Sequence, residues 1–100
     1  MNTVKITMVR VYLTECKKNT DKIIDHLKKK LHIRGATVFR GISGYGDSGD
    51  HQSMLINIVI EAPIVIEFFD EPHKITTALN YLSTVINAEH IVSWDASVNS

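Results

Sequence analysis

From Met54 to Phe68, apolar side chains recur at every second position: Met54, Ile56, Ile58, Ile60, Ile64, Ile66 and Phe68. A period of two marks an extended strand with one buried face, because successive side chains point to opposite sides of the pleat. A slip of one residue would turn the whole set toward water, so the pattern also pins the register. Pro63 lies inside the run and has no N–H to donate, which predicts a bulge or break there. A chain carrying such a strand must build a sheet, and the remaining segments decide what covers it.

Those segments predict strand, helix, strand, strand, helix, strand. Residues 4–13 read as a strand with apolar residues in both phases: Val4, Ile6 and Met8, then Val9, Val11 and Leu13. Either a bulge switches the phase or both faces are covered. Asn19 or Thr20 is the expected cap of a helix whose stripe is Ile23, Ile24, Leu27 and Leu31. Lys28, Lys29 and Lys30 suit its negative C-terminal end. Gly35 breaks the helix, and Ala36-Thr37-Val38-Phe39 opens the second strand. Asp70 or Glu71 should cap a second helix with Pro72 in its first turn. Its stripe is Ile75, Ala78, Leu79, Leu82, Val85 and Ile86, and a last strand near residues 91–98 aligns Val92, Trp94, Ala96 and Val98.

The order βαββαβ is the ferredoxin-like α+β pattern, an antiparallel sheet with two helices on one face. The other face is then bare, yet opposite the isoleucines stand Leu55, Val59, Val65 and Phe69 among Asn57, Glu61 and Glu67. An apolar face of that extent seeks cover, which predicts homo-oligomerisation through the sheet.

One hundred residues, 44% hydrophobic and 22% charged, fit a single domain over residues 1–100. The apolar run around residues 58–66 is broken by Glu61 and Pro63, so no membrane helix and no membrane insertion are expected. The opening MNTVKITMVRVYLT alternates like a strand and lacks the layout of a signal peptide. Cys16 is the only cysteine, so no internal disulfide forms, which fits a reducing cytoplasm. The net charge is zero, although residues 1–50 carry ten Lys/Arg against five Asp/Glu. Without a basic-aromatic stripe, nucleic acid is not an expected partner.

Chemistry concentrates where the second strand meets a glycine-spaced loop, GATVFRGISGYG, residues 35–46. Glycines at 41, 44, 46 and 49 permit positive φ angles and close approach to a ligand, and successive N–H groups in such a turn can hold an anion. The stretch 44–49 matches GxGxxG, but that fingerprint requires a helix after the third glycine, and a strand follows here. Arg40 stands at the base of the loop, where its planar fork could hold phosphate or carboxylate. Arg10 on the first strand could converge on the same edge; the alternative for both arginines is an ion pair with Glu61, Glu67 or Asp95, and for Arg10 that is the leading reading. Burial inside IVIEFFD would raise the pKa of Glu67 and make it a base, though pairing with Arg40 is the simpler account. Ser43 and Ser48 lack a nucleophile elbow, and the five histidines show no HxH or HxxxH spacing. No catalytic constellation and no metal site are expected.

GATVFRGISGYG, a polar loop ending at His51, and PIVIEFFDEPHKI together resemble the PII-like family known as domain of unknown function 190. Members share RxYxxE on the first strand, GATVxRGxxG[FY]G, a histidine after the loop, and PVxxEIVD before the second helix. Here these are Arg10-Val11-Tyr12-Leu13-Thr14-Glu15, residues 35–46, His51, and residues 63–70, so the resemblance covers nearly the whole chain.

The resemblance implies a homotrimer of ferredoxin-like subunits that senses a small anionic effector in the cleft between neighbours. It implies a signalling rather than an enzymatic role, with no required cofactor and an adenine nucleotide as the leading effector. Carried over by position, Arg40, Gly41, Ser43, Gly44, Gly46 and His51 would bind the effector, with Arg10 and Glu67 in support. The loop of residues 41–53 would dock on a partner protein, for which a membrane transporter or channel is one class. One departure matters. PII signalling proteins carry a second glycine-rich loop with a phosphate-gripping lysine before the last strand, and this chain has Val85-Ile86-Asn87-Ala88-Glu89-His90. Fewer charge-assisted contacts imply an affinity of about micromolar or weaker. Tyr45 also lacks the context of a uridylylation site. The alternatives are a dimeric α+β-barrel enzyme and a CutA-like, metal-linked assembly protein.

Overall fold

In the computed structural model, residues 1–13, 17–45 and 63–100 are described, residues 17 and 18 by their backbone alone. Four strands and two helices follow in the order β1 (Thr3–Leu13), α1 (Lys17–Lys29), β2 (Ala36–Arg40), β3 (Ile64–Asp70), α2 (Pro72–Val85) and β4 (Ile91–Asn99), with a short 3-10 turn, Ala88–His90, before β4. The sheet order is β2-β3-β1-β4, and every neighbouring pair is antiparallel. This is the ferredoxin-like α+β sandwich expected from the sequence. The part of the long alternation before Pro63 lies outside the described residues.

β3 carries the clearest pattern. Ile64, Ile66, Phe68 and Asp70 are buried, while Val65, Glu67 and Phe69 between them are half-buried. The buried phase faces the helices and meets Val9, Val11 and Leu13 of β1, Ile23 and Leu27 of α1, and Ile75, Ala78 and Leu82 of α2. Burying side chains of this size contributes roughly 1.5–3 kcal/mol each. The helices also touch through His26 and Tyr81, whose rings stack 3.7 Å apart at 10°, and burial raises the pKa of the Tyr81 phenol.

The two phases of β1 do not come from a bulge. Its pairing runs without a break from Thr7↔Asp70 to Leu13↔Ile64 and from Thr3↔Asn99 to Val11↔Ile91. β1 is a central strand with apolar residues on both faces, and Ile6 on the face away from the helices is also buried. Val92, Trp94, Ala96 and Val98 pair with Arg10, Met8, Ile6 and Val4, so the apolar side of β4 belongs to the bare face and not to the core. Trp94, Val92, Tyr12, Phe39 and Val4 are all exposed there.

The helix ends follow expectation only in part. α1 begins at Lys17, which places Asn19 and Thr20 inside its first turn; Thr20 is buried, and its Oγ1 has no partner among the described residues. Glu71 occupies the cap position of α2 without a side-chain capping bond, and Pro72 takes the first helical position. On the apolar stripe of α2, Val85 is half exposed, whereas Ile86 just past the helix packs against the core. α1 ends through His32, a non-glycine residue with the left-handed φ of 53°. The N–H of Ile33 then returns to the Leu27 carbonyl at 3.0 Å.

Candidate functional site

Arg40 is the last residue of β2 and pairs with Ile64, the first residue of β3. One step further, the N–H of Gly41 donates to the Pro63 carbonyl at 2.7 Å, so the two limbs of the loop leave the sheet already joined. Pro63 is an acceptor in that bond, which is the one ladder role it can fill. A Cβ on Gly41 would lie 3.3 Å from Pro63 Cβ and 3.5 Å from its carbonyl oxygen; one on Gly44 would lie 3.6 Å from Pro63 Cγ. Close approach accounts for Gly41. Neither Gly41 nor Gly44 adopts the positive φ expected of it.

Past this junction the side chains point outward. Ile42 is 89% exposed and Tyr45 87%, with Arg40 and Ser43 exposed beside them. Two large apolar groups projecting next to a guanidinium and a hydroxyl can meet a ligand with both an anionic and a flat or apolar part. Gly46 and His51, expected in the same site, lie outside the described residues, as does the rest of the loop to residue 53.

The two arginines do not converge. Arg10 pairs with Glu67, which faces Thr37, whereas Arg40 faces Ile64, so parity places Arg10 on the bare face and Arg40 on the helix side. Arg10 Nε donates to Glu67 Oε1 at 2.6 Å. Glu67 is thus the partner of Arg10 and not of Arg40, and an ion-paired carboxylate is not a base awaiting a substrate. The bonds to Glu67 and then to Tyr12 raise the pKa of Arg10 above its ordinary value. Its guanidinium also lies 5.6 Å from the centre of the Trp94 ring, within cation–π range. Arg40 makes no ion pair among the described residues.

A second polar cluster, not legible in the sequence, holds the other end of β2. Asp70 is 3% exposed. Its Oδ2 accepts the N–H of Arg34 at 2.9 Å, and its Oδ1 accepts that of Glu71 at 2.8 Å and Arg34 Nη2 at 3.4 Å. Lys74 Nζ stands 3.8 Å from Oδ2 and donates to the His32 carbonyl at 2.8 Å. Desolvation pushes the Asp70 pKa up, but the two backbone N–H groups, Lys74 and Arg34 together outweigh it and hold the carboxyl below its ordinary value. Asp70 therefore ties the α1–β2 turn to the β3–α2 junction and does not cap α2. An aspartate just before a helix reads as a cap, and no signal in the sequence connects it with residues 32–34. Where a PII protein has its second glycine loop, this chain makes the short 3-10 turn, closed by the His90 N–H on the Asn87 carbonyl at 2.9 Å. Among the described residues, no three His, Cys, Asp or Glu side chains gather as metal ligands, and no helix is long and apolar enough to cross a membrane.

The fold is that of the PII-like proteins. The chain superposes with a TM-score of 0.75 on CPII of Thiomonas intermedia K12 bound to ADP and bicarbonate, covering 99% of this chain and 93% of that one at 18% identity. The chain belongs to the family domain of unknown function 190, described as an uncharacterized ACR, which matches residues 6–98. A UPF0166 protein of Methanocaldococcus jannaschii is 30% identical over 89% of this chain and 86% of its own length. A second UPF0166 protein, from Aquifex aeolicus, is 32% identical over 75% of this chain and 76% of its own.

Proposed function

We propose that this protein is a non-catalytic, PII-like signalling protein that works as a homotrimer. It binds a small anionic effector, an adenine nucleotide first of all, in the cleft between subunits, and it regulates a partner protein through the loop of residues 41–53. The observation that carries the proposal is the exposed group at the root of that loop. Arg40 supplies charge, Ile42 and Tyr45 supply apolar surface, and Gly41 is tied down by Pro63. The likeness of the fold to CPII, which binds ADP and bicarbonate, supports the choice of effector. The exposed side chains of the bare face support the trimer, because they are the surface that association would bury. An effector held at the root of the loop would change the surface that a partner meets.

Calorimetry with ATP, ADP, AMP, cyclic nucleotides and bicarbonate tests this reading. We expect at least one to bind, and Arg40→Ala to weaken it by about tenfold, the loss of one charge-assisted contact, while the trimer persists. No heat from any of them would overturn the choice of effector. An Arg40→Ala variant that binds as tightly as the parent would remove Arg40 from the site.

A further inference from the structure

On the helix side of the sheet, far along β2 from Arg40, a cavity of about 330 Å³ opens between α1 and the turn into β2. Its volume falls at the low end of small-molecule pockets, roughly 300–1,000 Å³. Ile24, Leu27, Ile33 and Ala36 supply apolar wall, while Lys28, Arg34 and Gly35 complete the lining.

Gly35 is informative because nothing in its surroundings demands a glycine. A Cβ built there would meet no atom within 4 Å, and the backbone is not left-handed. Gly35 lies just before β2, and its lack of a side chain leaves the mouth of the cavity open. The two cations differ in role. Arg34 is anchored by Asp70 at 3.4 Å and lies 5.0 Å from the centre of the Phe69 ring. Lys28 is exposed and has no ion pair among the described residues, since the neighbouring Lys29 takes Asp25.

We infer that this cavity, bounded by α1 and the start of β2, binds an aliphatic monocarboxylate. The hydrocarbon chain lies between Ile24 and Ala36, over a floor made by the buried Leu27 and Ile33, and the carboxylate meets Lys28 at the rim. The apolar wall excludes a free phosphate or a nucleotide phosphate group, which would leave most of the cavity unfilled. The site is independent of the effector loop: its lining includes no residue beyond Ala36, and the inference stands whether or not Arg40 binds a nucleotide.

Octanoate is the probe, followed by amide chemical shifts of the full chain. Saturable shifts are expected at Ile24, Leu27, Ile33 and Ala36. Gly35→Leu, which fills the mouth without a clash, should weaken binding at least tenfold with an unchanged unfolding midpoint. Lys28→Glu should weaken it at least threefold, and the neutral octan-1-ol should bind at least threefold more weakly than octanoate. Arg40→Ala should leave octanoate binding unchanged, which separates this site from the effector loop. The inference is overturned by an absence of saturable shifts, by shifts confined to the bare sheet face, or by octanoate binding equally to the parent and Lys28→Glu. If Gly35→Leu fails to fold, the Lys28→Glu and octan-1-ol comparisons still decide.

Discussion

Asp70 meets four polar groups on three residues and has almost no contact with water, so its removal is costly. Asp70→Ala leaves the N–H groups of Arg34 and Glu71 without their acceptors, at about 1–3 kcal/mol for each buried orphan. The charge has its own signature. The carboxyl is held below its ordinary pKa in the folded state, so its contribution to stability is complete above the unfolded value, near pH 4. It is lost as pH falls through the folded value. Urea unfolding of the parent and Asp70→Asn should therefore differ by a constant amount above about pH 5, and the gap should narrow below pH 4. A gap that stays constant down to pH 2 would mean that the charge plays no part.

At the scale of elements, the stripe of α2 divides sharply. Leu82 is fully buried and Val85 is half exposed, although both lie on the helical repeat read from the sequence. Leu82→Ala should cost about 2–5 kcal/mol, whereas Val85→Ala should stay within roughly 0.5 kcal/mol, both measured by chemical denaturation. Periodicity located the helix and its inward face correctly. It could not say that Val85 would stay in solvent while Ile86, just past the helix, packs against the core, because that depends on how the chain leaves the helix. The caps were legible only in part: Glu71 holds the cap position of α2 without a side-chain bond. Asp70, Asn19 and Thr20 have side chains suited to capping, but α1 starts at Lys17, ahead of Asn19 and Thr20, and Asp70 is bonded across the fold. β1 was legible as a strand, and its doubled phase had two explanations; only its unbroken pairing with β3 and β4 chose between them.

For the whole molecule, the bare sheet face is the dominant fact. Trp94, Val92, Tyr12 and Phe39 are exposed on it around the Arg10–Glu67 pair, and a face of this composition is suited to association. Trp94→Asp sets a charge in the middle of that face, where desolvating it would be costly. Light scattering after size-exclusion chromatography should show the parent as a trimer and Trp94→Asp as a smaller species with unchanged secondary structure by circular dichroism. A parent that stays monomeric at micromolar concentration would remove the assembly from the proposed function, and with it the intersubunit cleft.

The residue pattern alone determined the element order, the inward faces of both helices, the alternation of β3 and the position of Arg40 at the root of a glycine-spaced loop. These are local properties, set by spacing along the chain and by the conformational range of glycine and proline. The tertiary structure alone decided that Glu67 answers Arg10, that Arg40 lies on the opposite side of the sheet, and that Asp70 binds a turn more than thirty residues away. Each of those depends on which strands become neighbours and in what register. Pairing is a property of the folded sheet, settled by burial of both phases at once, and no short stretch of sequence encodes it.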